Sequence, residues 1–357
     1  MSRIAVYGAS GYTGRLVAQA LAAAGHAVVL AGRSDARLRA LPVTGADVAV
    51  AAVDDPDALA GALAGCDALV NCAGPFAVHG APVLEAAIAA GVPYADTAAE
   101  QAWVHRVFER YGSLAAERGV ALVPAAGFDF LPGDLACALA ARGLGPLRAL
   151  EVAYAVDRFA MSRGTLRSAL AGIASRPLAY EAGTWRFAGA ALAGRRFAFP
   201  APFGTRIVAP FPAGEVVTAP RHVDTPRVRT LIAARTFTLG AEPLAPLVAP
   251  ALPLAGMLVR GPVARVADAA IGRLPEGPGI RARERARWIV VAAAQARDGT
   301  RRRVAVRGAD VYGTTAASAA HAAVLLADRR CAGALAPAQA FDPEAFLAHL
   351  GVAAEPA

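Results

Sequence analysis

The opening of the chain constrains it most. Residues Arg3 to Tyr7 read as a short buried strand, and Gly8-Ala9-Ser10-Gly11-Tyr12-Thr13-Gly14 follows at once. Beyond the glycines, Leu16, Val17, Ala20, Leu21 and Ala24 recur at helical spacing. Strand, glycine turn and helix in this order give a G-x-x-G-x-x-G pattern a physical meaning that a stray triplet lacks. The first glycine permits a tight turn, the second lets backbone approach a pyrophosphate, and the third lets helix pack closely on strand. The helix N-terminus adds unpaired N–H groups that suit phosphate. Gly8, Ser10, Gly11, Tyr12, Thr13 and Gly14 are therefore expected to bind a dinucleotide.

A second strand, Ala27 to Ala31, ends at Gly32-Arg33-Ser34. An acidic residue there would bond the ribose 2′-hydroxyl of NAD, whereas a guanidinium and a hydroxyl donate to a 2′-phosphate. Arg33 and Ser34 thus favour NADP(H); the competing reading leaves Arg33 in solvent and gives the ribose to Asp35. The βα alternation continues. Asp54-Asp55-Pro56 caps and opens a helix to about Ala64, and Asp67 to Cys72 forms a strand leading into Gly74-Pro75-Phe76. Gly80 to Ala90 reads as a helix, Pro93 to Ala95 as a strand, Glu100 to Arg118 as a long helix and Gly119 to Val123 as a sixth strand. The pattern predicts an α/β fold, a Rossmann-type doubly wound parallel sheet. Its glycine turn should lie at the carboxyl edge beside a second turn, Asn71, Cys72, Ala73, Gly74, Pro75 and Phe76, which would face the nicotinamide.

A chain of 357 residues is long enough for two domains. With 56% hydrophobic and 18% charged residues it is too apolar for disorder, and no uninterrupted apolar run spans a bilayer. No leader pattern precedes the first strand, which suggests a cytoplasmic protein. All 36 basic residues are arginine. A guanidinium stays protonated, so Schiff-base enzymes, lysine-dependent P-loop enzymes and Tyr-x-x-x-Lys dehydrogenases are excluded. Residues 146–310 hold 25 arginines against 11 acidic residues, and the remainder 11 against 17. A basic middle suits a phosphorylated substrate or an anionic lipid surface. Its aromatics are not interleaved with arginine in a stacking pattern, which argues against nucleic acid. Cys66, Cys72, Cys137 and Cys331 lack metal-ligand spacing and read as reduced, buried thiols, so no metal is expected.

The order of motifs resembles the saccharopine dehydrogenase-like family, in particular its trans-acting enoyl reductase branch. The matching stretches are Gly8 to Gly14, Ala31-Gly32-Arg33-Ser34, Asn71 to Phe76, Gly80-x-Pro82-Val83 and Gly91-x-x-Tyr94-x-Asp96. Gly127-Phe128-Asp129, Pro132-x-Asp134-Leu135 and Tyr312-x-x-Thr315-Ala316 complete the set. Two positions depart from the pattern: Thr97-Ala98-Ala99-Glu100 stands for Thr-Gly-Glu, and His79 stands for a tyrosine. The resemblance implies an NADPH-dependent reductase acting on a carbon–carbon double bond conjugated to a carbonyl. Its substrate would be an apolar acyl or polyketide-like molecule, free or carrier-linked. The alternatives are a saccharopine-type imine or amino-acid oxidoreductase and a non-catalytic NADP-binding regulator.

Gly143-Leu144-Gly145-Pro146 reads as a junction between a dinucleotide-binding domain, 1–145, and an α+β substrate or oligomerisation domain, 146–310. The second contains a strand over Ala149 to Val156, a helix over Leu166 to Ala174, and a hairpin of Trp288 to Ala296 with Arg301 to Arg307 about Asp298-Gly299. Such a domain suits a homodimer. The segment 311–357 is helical from Gly313 and by resemblance returns to the nucleotide-binding domain. Pro243 to Val259, uncharged and proline-rich, reads as an internal packing segment, a flap over an apolar substrate or a peripheral membrane contact. Arg281 to Arg287 and Arg301 to Arg303 read as solvated faces or as a phosphate or lipid-headgroup site. His79, Tyr154 and Tyr312 are the candidate catalytic residues, as a titrating imidazole and two hydroxyl donors. Asp129 is read as a local cap before a proton donor.

Overall fold

The computed structural model describes residues 1–174, 176–188, 194–238 and 262–357, so the Pro243–Val259 segment lies outside the described residues. The chain divides into two units, Met1–Leu131 with Tyr312–Phe341, and Pro132–Val311 with Asp342–Ala357. The first boundary falls at Leu131/Pro132, before the glycine-rich stretch at 143–146. The tail beyond 311 is shared between the units. Among the described residues no helix is long and apolar enough to cross a membrane.

In the first unit, strand alternation builds two apolar layers. Along β1 (Arg3–Tyr7), Ile4 and Val6 enter one core, and Ala5 and Tyr7 the opposite one. A strand buried on both faces belongs at the centre of a parallel sheet. β1 pairs in parallel with β2 (Ala27–Gly32), which follows α1 (Tyr12–Ala23), and α2 (Asp35–Arg39) leads on to β3 (Asp47–Val50) at the edge. On its other side β1 pairs with β4 (Ala68–Asn71), reached through α3 (Pro56–Leu63). α4 (Phe76–Ala90) then leads to β5 (Tyr94–Asp96). α5 (Gln101–Arg106), a π turn at Val107–Tyr111 and α6 (Gly112–Glu117) lead to β6 (Ala121–Val123), beside which the short strand Gly333–Ala334 is added. All these pairs are parallel, and the strand order reverses between β1 and β4.

α1 and the helix Val311–Asp328 cover one face, where Val17 and Leu21 meet Ala316, Ala319 and Ala323. The alanines let the second helix approach the sheet closely, and a larger side chain would overpack the layer by about 1–3 kcal/mol. α3, α4 and α5 cover the other face with Leu59, Leu63, Val83, Leu84 and Trp103. The cap expected for α3 is present: Asp55 Oδ1 accepts from Ala58 N–H at 2.9 Å. α4 begins at Phe76 rather than Gly80, so His79 stands in its first turn and not in the preceding loop. Glu100 caused the difference by supplying acceptors for N–H groups of that turn, as described below.

The second unit begins with α7 (Leu131–Ala141) and carries a mixed sheet. β7 (Leu147–Asp157) pairs with β12 (Arg227–Ala233) and with β13 (Arg287–Ala296), which turns through Asp298-Gly299 into β14 (Arg301–Ala309). Gly299 adopts φ +93°, which the turn requires and glycine alone takes without strain. Beyond α8 (Arg163–Ala174), β8 (Leu178–Glu181) and β9 (Thr184–Phe187) form a hairpin that joins the edge of β12. β10 (Arg195–Ala198) and β11 (Thr205–Pro210) extend the sheet, and α9 (Glu215–Thr218) follows. Part of each arginine stretch is engaged within the unit. Arg283 forks onto Asp310 at 2.6 Å, and Arg303 donates to the Ala198 carbonyl at 2.6 Å over the Phe197 ring.

Candidate functional site

The three glycines of the first turn do different work. Gly8 sits at φ +77°, and a Cβ there would stand 3.0 Å from Ala73 N, so the first and second turns touch. A Cβ on Gly14 would stand 2.3 Å from the Gly8 carbonyl oxygen, a contact with backbone that cannot yield. A Cβ on Gly11 would meet only that same oxygen, at 3.2 Å. Gly11 is thus less closed in than Gly8 and Gly14, and it is the one that suits the approach of a ligand to the backbone. It caps α1 without a side-chain acceptor, and no acidic residue occupies the first turn. The hydroxyls of Ser10 and Thr13 make no hydrogen bond among the described residues.

At the carboxyl end of β2, Arg33 is exposed, and neither its guanidinium nor the Ser34 hydroxyl has a hydrogen-bond or ion-pair partner among the described residues. Asp35 is not available to a ribose in the same way, because Arg39 grips both its oxygens at 2.8 and 2.9 Å. Arg37, one turn beyond Arg33, donates to the Ser10 carbonyl at 3.0 Å and ties α2 to the glycine turn. Three cations, Arg33, Arg37 and Arg39, and three hydroxyls, Ser10, Thr13 and Ser34, therefore lie in the glycine turn and just after β2, the strand beside β1. Gly11 and the unpaired donors fit a 2′-phosphorylated dinucleotide.

The second turn is held by carboxylates. Asn71, fully buried, accepts from Ala73 N–H at 3.0 Å and donates to the Tyr94 hydroxyl at 3.2 Å. Tyr94 and the Trp103 indole donate to Asp96 Oδ2 at 2.9 and 2.7 Å, and Ala98 and Ala125 N–H to Oδ1 at 3.0 and 2.8 Å. Burial pushes the Asp96 carboxyl above its ordinary value while these donors oppose it. Glu100 accepts from Phe76 and Ala77 N–H at 2.7 and 2.8 Å, so one carboxylate from another element takes two first-turn donors of α4. Phe76 packs into the core against Trp103, and Ala73, Gly74 and Pro75 remain at the accessible edge. Burial pushes the Cys72 thiol up to about 12, which makes it a packing group and not a thiolate. His79 is partly exposed, and its imidazole has no partner among the described residues.

The remaining candidates fall in different units. Tyr312 stands in the first turn of the helix Val311–Asp328 and packs against Tyr12 of the glycine turn. Tyr154 lies in the second unit, 2% exposed, with its hydroxyl donating to the buried carboxyl of Glu215. A Cβ on Gly133 would fall 2.2 Å from that hydroxyl, so α7 closes over the pair. Nearby in the same unit His222 Nε2 meets Asp134 Oδ1 at 2.9 Å. Asp129 caps nothing. Its carboxyl makes no hydrogen bond among the described residues, and the turn that carries it is tied by Asp96 and Thr315 instead. Sequence reasoning did not find the roles of Arg37, Asp96 and Glu100. Asp96 and Glu100 had left one signal, acidic residues set in an apolar stretch directly after a strand.

Comparison with known proteins agrees with this geometry. Residues 4–123 match the family model of the saccharopine dehydrogenase NADP binding domain. A trans-acting enoyl reductase of Mycobacterium bovis is 34% identical over 140 residues, 37% of this chain and 34% of that protein. A lipid droplet localized protein of Caenorhabditis elegans is 35% identical over 151 residues, 38% of this chain and 35% of that protein. The chain therefore spans about a third of the length of the curated relatives it matches. The apo saccharopine dehydrogenase (L-Glu forming) of Saccharomyces cerevisiae shares the fold, with a TM-score of 0.63 at 15% identity, covering 100% of this chain and 99% of that one. Residues 4–123 thus match the NADP binding domain of saccharopine dehydrogenase, and NADP(H) is the dinucleotide that this match and the edge of β2 support.

Proposed function

We propose that the protein is an NADPH-dependent reductase of a carbon–carbon double bond conjugated to a carbonyl, in an apolar acyl substrate. The observation that carries the reductase part is the pair Arg33 and Ser34, unpaired among the described residues at the end of β2, together with the glycine turn about Gly11 after the neighbouring β1. The likeness to a trans-acting enoyl reductase over 140 residues supports the kind of bond reduced. NADPH, when bound, supplies a hydride to the substrate. The chain's own residues bind and orient. The α1 N-terminus and Gly11 take the pyrophosphate, and Arg33 and Ser34 take the 2′-phosphate. Glu100 and Asp96 fix the turn that presents Ala73, Gly74 and Pro75.

The test is a paired assay of NADPH absorbance. One set contains α,β-unsaturated acyl thioesters, such as crotonyl-N-acetylcysteamine, and the other 2-oxo acids mixed with amino acids. Turnover in the first set alone is expected. Turnover confined to the second would replace the enoyl reading with imine chemistry, and none in either would reject both.

A further inference from the structure

The turn after β6 is fixed at almost every residue except one. Ala125 adopts φ +58°, a left-handed conformation costing an L-residue about 1 kcal/mol or more. Its N–H is held by Asp96 Oδ1 at 2.8 Å, and Ala126 N–H by the Asp96 carbonyl at 2.7 Å. Phe128 N–H donates to Thr315 Oγ1 at 3.2 Å, and a Cβ on Gly127 would stand 2.8 Å from Thr315 Cγ2. Phe130 and Leu131 N–H bond back to Ala125 and Gly127 at 3.3 and 3.0 Å. The side chain this scaffold presents is Asp129, partly exposed and without a hydrogen bond among the described residues. Strain held by surrounding contacts is the kind of expense that structure concentrates at functional turns.

Topology says which half of a dinucleotide the turn serves. Arg33 and Ser34, at the end of β2, mark the phosphorylated ribose. A dinucleotide crossing the reversal between β1 and β4 puts its other half over β4, β5 and β6. Asp129 follows β6 in the same unit and therefore stands on the nicotinamide side. We infer that Asp129 is the catalytic acid of the reduction, an assignment that rests on the reductase reading above.

The step balances simply. As hydride from NADPH adds at the β-carbon, the π pair moves toward the carbonyl. The Asp129 O–H bond then breaks, a C–H bond forms at the α-carbon, and NADP+ and the Asp129 carboxylate remain, the latter reprotonated from water. The protein packed around this carboxyl pushes it up to about 6 even though the residue keeps an accessible edge, with no hydrogen bond or neighbouring charge contributing, so roughly a tenth is protonated at neutral pH and more below it. The groups hydrogen-bonded to the turn are Asp96, already occupied by four donors, and the neutral Thr315.

Two measurements on the full chain decide it. The first follows the carboxyl of Asp129 by carbon-13 NMR, assigned against Asp129→Asn, in complexes with NADP+ and with NADPH. The cationic ring of NADP+ should lower the midpoint relative to NADPH, and equal midpoints would overturn the placement without any substrate being known. The second uses crotonyl-N-acetylcysteamine, for which Asp129→Asn should lower kcat about 100-fold or more with KM and NADPH affinity unchanged. Full kcat in the variant overturns the assignment. If the wild type reduces no unsaturated thioester while the two midpoints differ, the enoyl reading falls and Asp129 keeps its place beside the nicotinamide.

Discussion

The ring of Tyr312 stands edge-on to that of Tyr12, centroids 5.0 Å apart and planes at 85°. An aromatic from the far end of the sequence thereby props the glycine turn at its beginning. Edge-to-face pairs contribute about 0.5–1.5 kcal/mol beyond the area they bury. A double-mutant cycle with Tyr12→Leu and Tyr312→Leu, read by urea unfolding, should give a coupling in that range. Simple additivity would show the contact to be incidental.

Cofactor preference should collapse at one side chain. Arg33→Ala is expected to weaken NADPH binding about tenfold or more and leave NADH unchanged, since a charged hydrogen bond is worth about 1.5 kcal/mol or more. Asp35→Ala should change neither affinity, because Arg39 already holds that carboxylate. Isothermal titration with both dinucleotides reads both outcomes.

Two glycine substitutions should fail in different ways. Gly11→Asp meets a single backbone oxygen at 3.2 Å but places a side chain and a negative charge at the pyrophosphate, so NADPH titration should be lost with a smaller loss of stability than Gly14→Ala causes. Gly14→Ala puts a methyl 2.3 Å from a carbonyl oxygen and should lower the unfolding midpoint directly. The reverse pattern would mean that Gly11 is the packing glycine.

The His222–Asp134 pair sets a pH dependence. Burial opposes the imidazolium, but the Asp134 carboxylate and its hydrogen bond outweigh it and raise His222 above its ordinary value. A raised folded-state pKa stabilises fully below the unfolded value of about 6.5 and loses its effect as pH climbs through the folded value. The stability difference between wild type and His222→Gln, measured by urea at about pH 6 and about pH 8, should therefore shrink at the higher pH. A difference that grows would reverse the sign of the coupling.

The parallel sheet was legible because its signals are local. Glycine spacing, alternation in Arg3 to Tyr7 and the Asp55-Pro56 cap each act within a few residues, and each reappears in the structure. The start of α4 was not legible, since its acceptor is Glu100, 24 residues away from Phe76. Asp129 was misread for a related reason. An acidic residue ahead of a helix usually caps it, but Thr315, 187 residues on from Phe128, supplies the acceptor for that turn. Tyr154 looked available in sequence because nothing nearby announces Glu215, 61 positions later. Side chains tied by distant partners are those that periodicity cannot place.

Both units are discontinuous in sequence, and this fixes an order of events during synthesis. When residues 1–131 have left the ribosome, one face of their sheet, with Ile4, Val6, Val17 and Leu21, still lacks the helix Val311–Asp328. The second unit is likewise unfinished until Asp342–Ala357 has been made. Neither unit is sealed before residues 312–357 emerge, so the nascent chain carries an uncovered apolar layer while residues 132–311 are made, and the later segment acts as a clasp for each unit.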